Sequence, residues 1–189
     1  MSAAAPGEDA RPALALVNSR RNDAGEPVDD LATPAGLRAW LAEHGLGSHA
    51  RVDAAALAAV RELRSAVREL LEARIDQRAP DQAAVETVNA AAAATPTAPL
   101  LTWTDPGAPR ADSQCLGPGG VALARALLAA DAIDLVTGPA HTDLLACQAP
   151  GCVRLLLRDH PRRRWCSTRC GDRVRASHYY ARHRDARRA

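Results

Sequence analysis

Phenylalanine and lysine are absent from this 189-residue chain, methionine occurs once, and only Trp40, Trp103, Trp165, Tyr179 and Tyr180 supply aromatic rings. Its 47% hydrophobic content is rich in alanine, so the core must be light and helix-friendly. No run of about 18 apolar residues exists to span a bilayer. The N-terminus lacks a basic region leading into an apolar stretch and a cleavage site, so a cytoplasmic protein is expected. The length suits one mid-sized domain, or one domain plus a small module, and excludes a large multidomain enzyme. HExxH, a Gly-rich phosphate loop, a Ser/His/Asp arrangement and a close carboxylate pair are also missing, so no catalysis is expected.

Net charge is scarce only in the total. The 24 basic residues, all arginine, against 22 acidic ones leave +2. Residues 1–146 carry 12 arginines against 19 acids, net −7, whereas residues 147–189 carry 12 arginines against Asp159, Asp172 and Asp185, net +9. A neutral sum therefore conceals an acidic body and a strongly basic tail. The use of arginine over lysine goes with abundant alanine and reflects a GC-rich genome as much as function, so it carries no weight by itself.

Residues 1–11 are small and polar and are expected to be a disordered end. Pro12 can open a helix that ends at Asn18 and Ser19, and residues 20–27 read as a turn. Thr33 and Pro34 form an N-cap and first helical position, and Leu37, Trp40 and Leu41 recur at helical spacing until Gly45. Asp53 caps the longest pattern, with Leu57, Val60, Leu63, Val67, Leu70 and Leu71 as its stripe and Arg61, Arg64, Arg68 and acids around the remainder; Pro80 ends it. A shorter helix is predicted from Asp81 to about Ala93, a strand over Leu100–Thr104, a loop over 105–120 and a helix over Val121–Asp134. Gly138–Ala146 reads as a connector.

Four of the five cysteines fall within 24 residues: Cys147, Cys152, Cys166 and Cys170. In a reducing cytosol two close pairs separated by a hairpin-length span point to one tetrahedral zinc, because each pair supplies two thiolates from a tight turn. Gln148-Ala149-Pro150-Gly151 makes the first turn. Val153, Leu155 and Leu157 alternate with Arg154 and Arg158, and a turn at Asp159-His160-Pro161 leads back through Arg164 and Trp165, which predicts a β-hairpin after the knuckle. From Cys170 the chain turns helical and basic. With four protein ligands the zinc is structural, a substitute for a core that so short a segment cannot build. Cys115 stands outside the cluster as an ordinary thiol. The expected fold class is α+β: a mainly helical N-terminal domain over 12–143 with a few short strands, followed over 144–189 by a small treble-clef-like zinc finger made of a β-hairpin and a basic helix.

The finger would present Arg162, Arg163 and Arg164 at its hairpin and Arg173, Arg175, Arg182, Arg184, Arg187 and Arg188 on its helix. Even after four thiolates and one zinc are counted, the tail keeps about +7, a density that points to an anionic polymer such as DNA. Two other readings of the same arginines stay open: a solvated face, or docking on an acidic surface, including the chain's own body. In the N-terminal part Asn18, Arg20, Asp30 and Trp40 are candidates for a small-ligand pocket, against the simpler reading that they cap, turn or pack.

The stretch WCSTRCGDR resembles the CGNR zinc finger, a C-terminal bacterial module in which Cys-Gly-Asn-Arg opens a basic helix. The stretch LALVNSRRNDAGEPVDDLATPAGLRAWL is similar to the ABATE domain that usually precedes this finger and is described as a stress-induced transcription regulator. The resemblance implies one structural zinc, DNA binding through the finger and a sensing or assembly role for the N-terminal domain, with an oligomer as one possible state. Asp172 stands where the family has asparagine, and Cys166 and Cys170 are separated by three residues where the family favours four. A protein-interaction adaptor, with the basic finger docked on an acidic protein surface, is the alternative from a different class.

Overall fold

The computed structural model describes residues 4–23, 25–47, 51–104 and 107–186; side chains are not described for Thr97, Ser113, His178, Tyr180 and 181–186. Six helices carry the architecture: α1 (Pro12–Asn18), α2 (Pro34–Glu43), α3 (Ala54–Ile75), α4 (Gln82–Ala93), α5 (Val121–Thr137) and α6 (Thr168–Ala186). Three two-stranded antiparallel sheets accompany them: β1 (Arg20–Asp23) with β2 (Glu26–Asp29), β3 (Thr97–Thr102) with β4 (Arg110–Cys115), and β5 (Leu144–Ala146) with β6 (Leu155–Leu157). The expected α+β class, mainly helical with few short strands, is what the chain adopts.

Helix starts follow local chemistry. Thr33 Oγ1 accepts from Gly36 N at 3.0 Å and Asp53 Oδ1 from Ala56 N at 2.8 Å, each satisfying an N–H that the first helical turn leaves open. α1 has no cap of its own side chain. Asp131 of α5 supplies it, accepting from Ala13 N at 2.8 Å while pairing with Arg11 Nε at 2.9 Å.

The core is built without phenylalanine from Leu14, Leu16 and Val17 of α1, the stripe of α3, Val88 of α4, and Leu128 and Leu135 of α5. Alanines at 13, 84, 91, 124, 129 and 132 are buried between them, so the helices come close enough for small side chains to fill the space. Leu144 and Leu155 of the third sheet join this core, whereas Leu156 faces a second cluster with the cysteines. A strand's alternation thus sends neighbouring leucines into two cores and welds the C-terminal module to the body.

Four expectations need correction. Residues 4–11 are structured: Ala5 is 2% exposed in the second cluster, Glu8 N donates to Ala5 O, and Leu157 N donates to Pro6 O at 2.9 Å. Residues 20–27 begin a hairpin, held by Arg64 to Asp29, Arg21 to Asp30, and Asp30 N to Ser19 O. The stretch 105–120 contains β4, paired residue by residue with β3 in a hairpin that leaves Leu101 and Trp103 exposed. The C-terminal hairpin is formed by the strands that flank the first cysteine pair, because Leu144–Ala146, read as connector, pairs with β6; the segment through Arg164 contributes a single backbone bond, from Gln148 N.

Candidate metal centre and nucleic-acid interface

Cys147 and Cys152 flank the knuckle between β5 and β6, which Cys152 N closes by donating to Ala149 O at 3.0 Å. Gly151 takes a left-handed φ of 71°, a conformation that a side chain would strain. Cys166 lies just before α6 and Cys170 in its first turn, where the thiolate meets the positive end of the helix. Ser167 Oγ accepts from Cys170 N at 3.2 Å and fixes that turn.

The four sulfurs all lie within 4.8 Å of one another, with Cys152 to Cys166 at 3.7 Å and Cys166 to Cys170 at 3.6 Å. A disulfide requires about 2.05 Å. A tetrahedral zinc with bonds of about 2.3 Å requires sulfurs about 3.8 Å apart, so the donor set fits one zinc and no bridge. The thiols alone make poor company. Hydrogen bonds from Cys152 and Cys166 hold Cys147 far below the ordinary thiol range, at about 2, whereas donation to Cys147 pushes Cys152 up to about 11 and Cys166 higher still. One thiolate suppresses ionisation of its neighbours, and a divalent cation is what allows all four to ionise together.

Gly171, directly after the last cysteine, permits the close seating of Trp165. A Cβ there would stand 3.1 Å from Trp165 Cε3, and the Arg175 guanidinium lies 6.0 Å from the centre of the same ring. This stacking shapes a groove of about 320 Å³ at the start of α6, lined by Arg162, Arg163, Arg164 and Arg175 with Ser167 and Thr168. Arg163 is tied to Asp159 at 2.5 Å and Arg175 to Asp172 at 2.6 Å. Arg162 and Arg164 are exposed and have no acidic partner among the described residues. Arg173 is exposed and points a guanidinium nitrogen to Cys170 Sγ at 3.7 Å. Asp172 therefore engages Arg175, not Arg173. The side chains of Arg182 and Arg184 lie outside the described residues, as do Arg187 and Arg188, although the α6 backbone runs to Ala186.

Of the four candidate pocket residues, Asn18, Asp30 and Trp40 line one cavity of about 510 Å³; Arg20 is exposed outside its lining, and Arg21 occupies the place instead. Asn18 also joins the two parts of the chain. Its Oδ1 accepts from Leu155 N at 2.9 Å, and its Nδ2 donates to Leu155 O at 2.7 Å and to Glu8 Oε1 at 2.5 Å. The amide side chain thus pairs with β6 as another strand would. Burial pushes the Glu8 carboxyl up, partly opposed by the bond from Ala5 N and the charge of Arg154.

Sequence reasoning placed Arg64 on the polar surround of α3, yet it is 7% exposed, with bonds to Asp29 Oδ1 at 2.6 Å, Asp29 Oδ2 at 2.9 Å and Ser19 Oγ at 3.0 Å. Its position between Val60 and Val67, on the edge of the apolar stripe, was the available signal. Arg154, expected to face outward from an alternating strand, is likewise buried and lines the cavity.

Two thiolate pairs around one metal, carried by a knuckled hairpin and a following basic helix, define a zinc-finger protein whose finger is docked on a mainly helical domain. Residues 10–139 match the ABATE family, described as a putative stress-induced transcription regulator, and residues 144–183 match the CGNR zinc finger. The chain belongs to the ABATE family and carries a C-terminal CGNR finger with one structural zinc. A search of curated proteins found no match. No helix among the described residues is long and apolar enough to cross a membrane.

Proposed function

We propose that this chain is a zinc-dependent DNA-binding protein that regulates transcription in the cytoplasm, its finger contacting DNA and its N-terminal domain sensing a ligand or mediating assembly. The observation that carries the reading is the groove at the start of α6, which gathers Arg162, Arg163, Arg164 and Arg175 beside two hydroxyl side chains. Four guanidiniums at a helix N-terminus suit a phosphate backbone, because fork-shaped donors, exposed N–H groups and the helix dipole all favour the same anion. α6 itself has 19 residues, about 28 Å at the standard rise, enough to lie along a groove of duplex DNA. Two of these arginines have internal acid partners, whereas Arg162 and Arg164 are available without breaking an ion pair.

The description of the matched family supports the regulatory part of the reading. No catalytic step belongs to it, since a metal closed by four thiolates offers no position to a substrate. The test is retention of the zinc-loaded full-length protein on immobilised mixed-sequence duplex at low salt. Retention that is released by salt and lost with zinc is expected. Zinc-loaded protein that passes through DNA yet binds an acidic protein would replace this reading with the adaptor.

A further inference from the structure

The arginine groove contains more than charges. Trp165 and Gly171 line it together with Arg162, Arg164 and Arg175, and its volume of about 320 Å³ exceeds what one phosphate group needs. Contacts to a phosphate backbone call for exposed cations and hydrogen-bond donors, not for an aromatic ring.

Trp165 packs on the cysteine cluster and is only partly exposed, and the Arg175 guanidinium carbon lies over its ring, 6.0 Å from the centroid. That separation is the outer reach of a cation–π contact, whereas direct stacking brings planar groups to about 3.5–4 Å. A planar base seated between ring and guanidinium requires two such contacts, about 7 Å, so an opening of about 1 Å admits one. Gly171 keeps the space clear: a Cβ there would stand 3.1 Å from Trp165 Cε3 and 3.2 Å from Arg175 Nη1. Arg175 can make the movement. Its ion pair with Asp172 joins side chains that are 62% and 69% exposed, and surface pairs of this kind hold weakly.

In a duplex the bases stack on one another, so a ring inside a concave groove meets only backbone; an unpaired base has a face to offer it. We propose that the groove takes one unpaired nucleotide of DNA, its base between Trp165 and Arg175 and its flanking phosphates on Arg162 and Arg164. This site rests on the DNA-binding reading and gives it a preference for strand ends and other places where a base leaves the helix.

The test is fluorescence anisotropy of the zinc-loaded full-length protein with three probes: a blunt duplex, the same duplex with a short adenine overhang, and the same duplex with an abasic overhang of equal length. The two overhangs carry the same phosphates, so their difference isolates the base. The adenine overhang should bind at least about fivefold tighter than the abasic one, as stacking of a base on an aromatic ring implies, and should quench tryptophan emission. Arg175→Lys keeps the charge but loses the plane and should reduce that ratio, whereas Arg38→Lys, exposed on α2, should leave it as it is. Trp165→Phe, with zinc content checked, should abolish the quenching. Equal affinity for the two overhangs, a ratio indifferent to Arg175→Lys, or quenching that persists in Trp165→Phe would overturn the proposal, and affinity for the blunt duplex would then leave the DNA-binding reading standing. Binding of the adenine overhang without the blunt duplex upholds the site, and no affinity for any of the three probes removes both.

Discussion

Replacing Asn18 with alanine removes a buried clasp between the two parts of the chain. The residue is 3% exposed, and its amide makes three bonds of 2.5–2.9 Å, two to the backbone of Leu155 and one to Glu8. Alanine leaves a buried N–H and a buried carbonyl unpaired, at about 1–3 kcal/mol each, so a loss of about 2–5 kcal/mol is expected. For a chain of this length that lowers Tm by about 6–15 °C. Asn18→Asp keeps the acceptor for Leu155 N but loses the donor and faces Glu8 with a second carboxylate. Its defect should shrink at acid pH, where a protonated carboxyl donates again. Thermal unfolding of the zinc-loaded proteins by circular dichroism, with limited proteolysis across Leu155–Leu157, reads both effects. Two variants as stable and as protected as the wild type would refute the clasp.

Chelation of zinc should release one metal per chain, expose four reactive thiols beyond Cys115 and unfold the finger, while most helical signal from α1 to α5 persists; thiol titration and circular dichroism check this. Arg64→Ala strands Asp29 and should destabilise the fold by about 2–4 kcal/mol, read by urea unfolding, less than a fully buried pair because Asp29 keeps some solvent. Arg64 also sets a pH dependence. Its bond holds the Asp29 carboxyl below 3.8, so the associated stability is fully present above that value and is lost as pH falls through the lower folded value; Arg64→Ala should flatten that acid limb of the stability curve. Burial of Glu8 acts in the opposite sense, favouring the fold below 4.5 and costing stability as pH rises through its raised folded value. Gly171→Ala pushes Trp165 off α6 and should distort the groove with zinc retained, visible as a changed tryptophan emission and weaker DNA retention.

Elements whose cause is local were legible in the sequence. Pro12, Thr33 and Asp53 mark helix starts by capping chemistry, and the leucines of α3 face one way because of helical spacing. Cysteine spacing was equally direct, since two turns that each present two sulfurs are a local property. What escaped were features made by distant partners. β1 and β2 have no apolar alternation to reveal them; Arg64, 35 residues from Asp29, holds their hairpin in place. β5 was hidden because Leu144–Ala146 becomes a strand only by pairing with β6 across the knuckle. Residues 4–11 look disordered by composition, yet Ala5 is small enough to enter the cysteine cluster and Glu8 meets Asn18. Arg20 was a candidate where Arg21 lines the cavity, a one-residue error that reverses the face in a strand.

The most direct test is the salt dependence of duplex binding by the zinc-loaded wild type and by Arg162→Ala/Arg164→Ala, followed by fluorescence anisotropy. With about five phosphates neutralised, log K should fall against log salt with a slope of about −4 to −5 in the wild type, and the variant's slope should be shallower by about 2 with its zinc content unchanged. Equal slopes for the two proteins, or no affinity of the zinc-loaded wild type at low salt, would contradict a phosphate-binding role for the arginine groove.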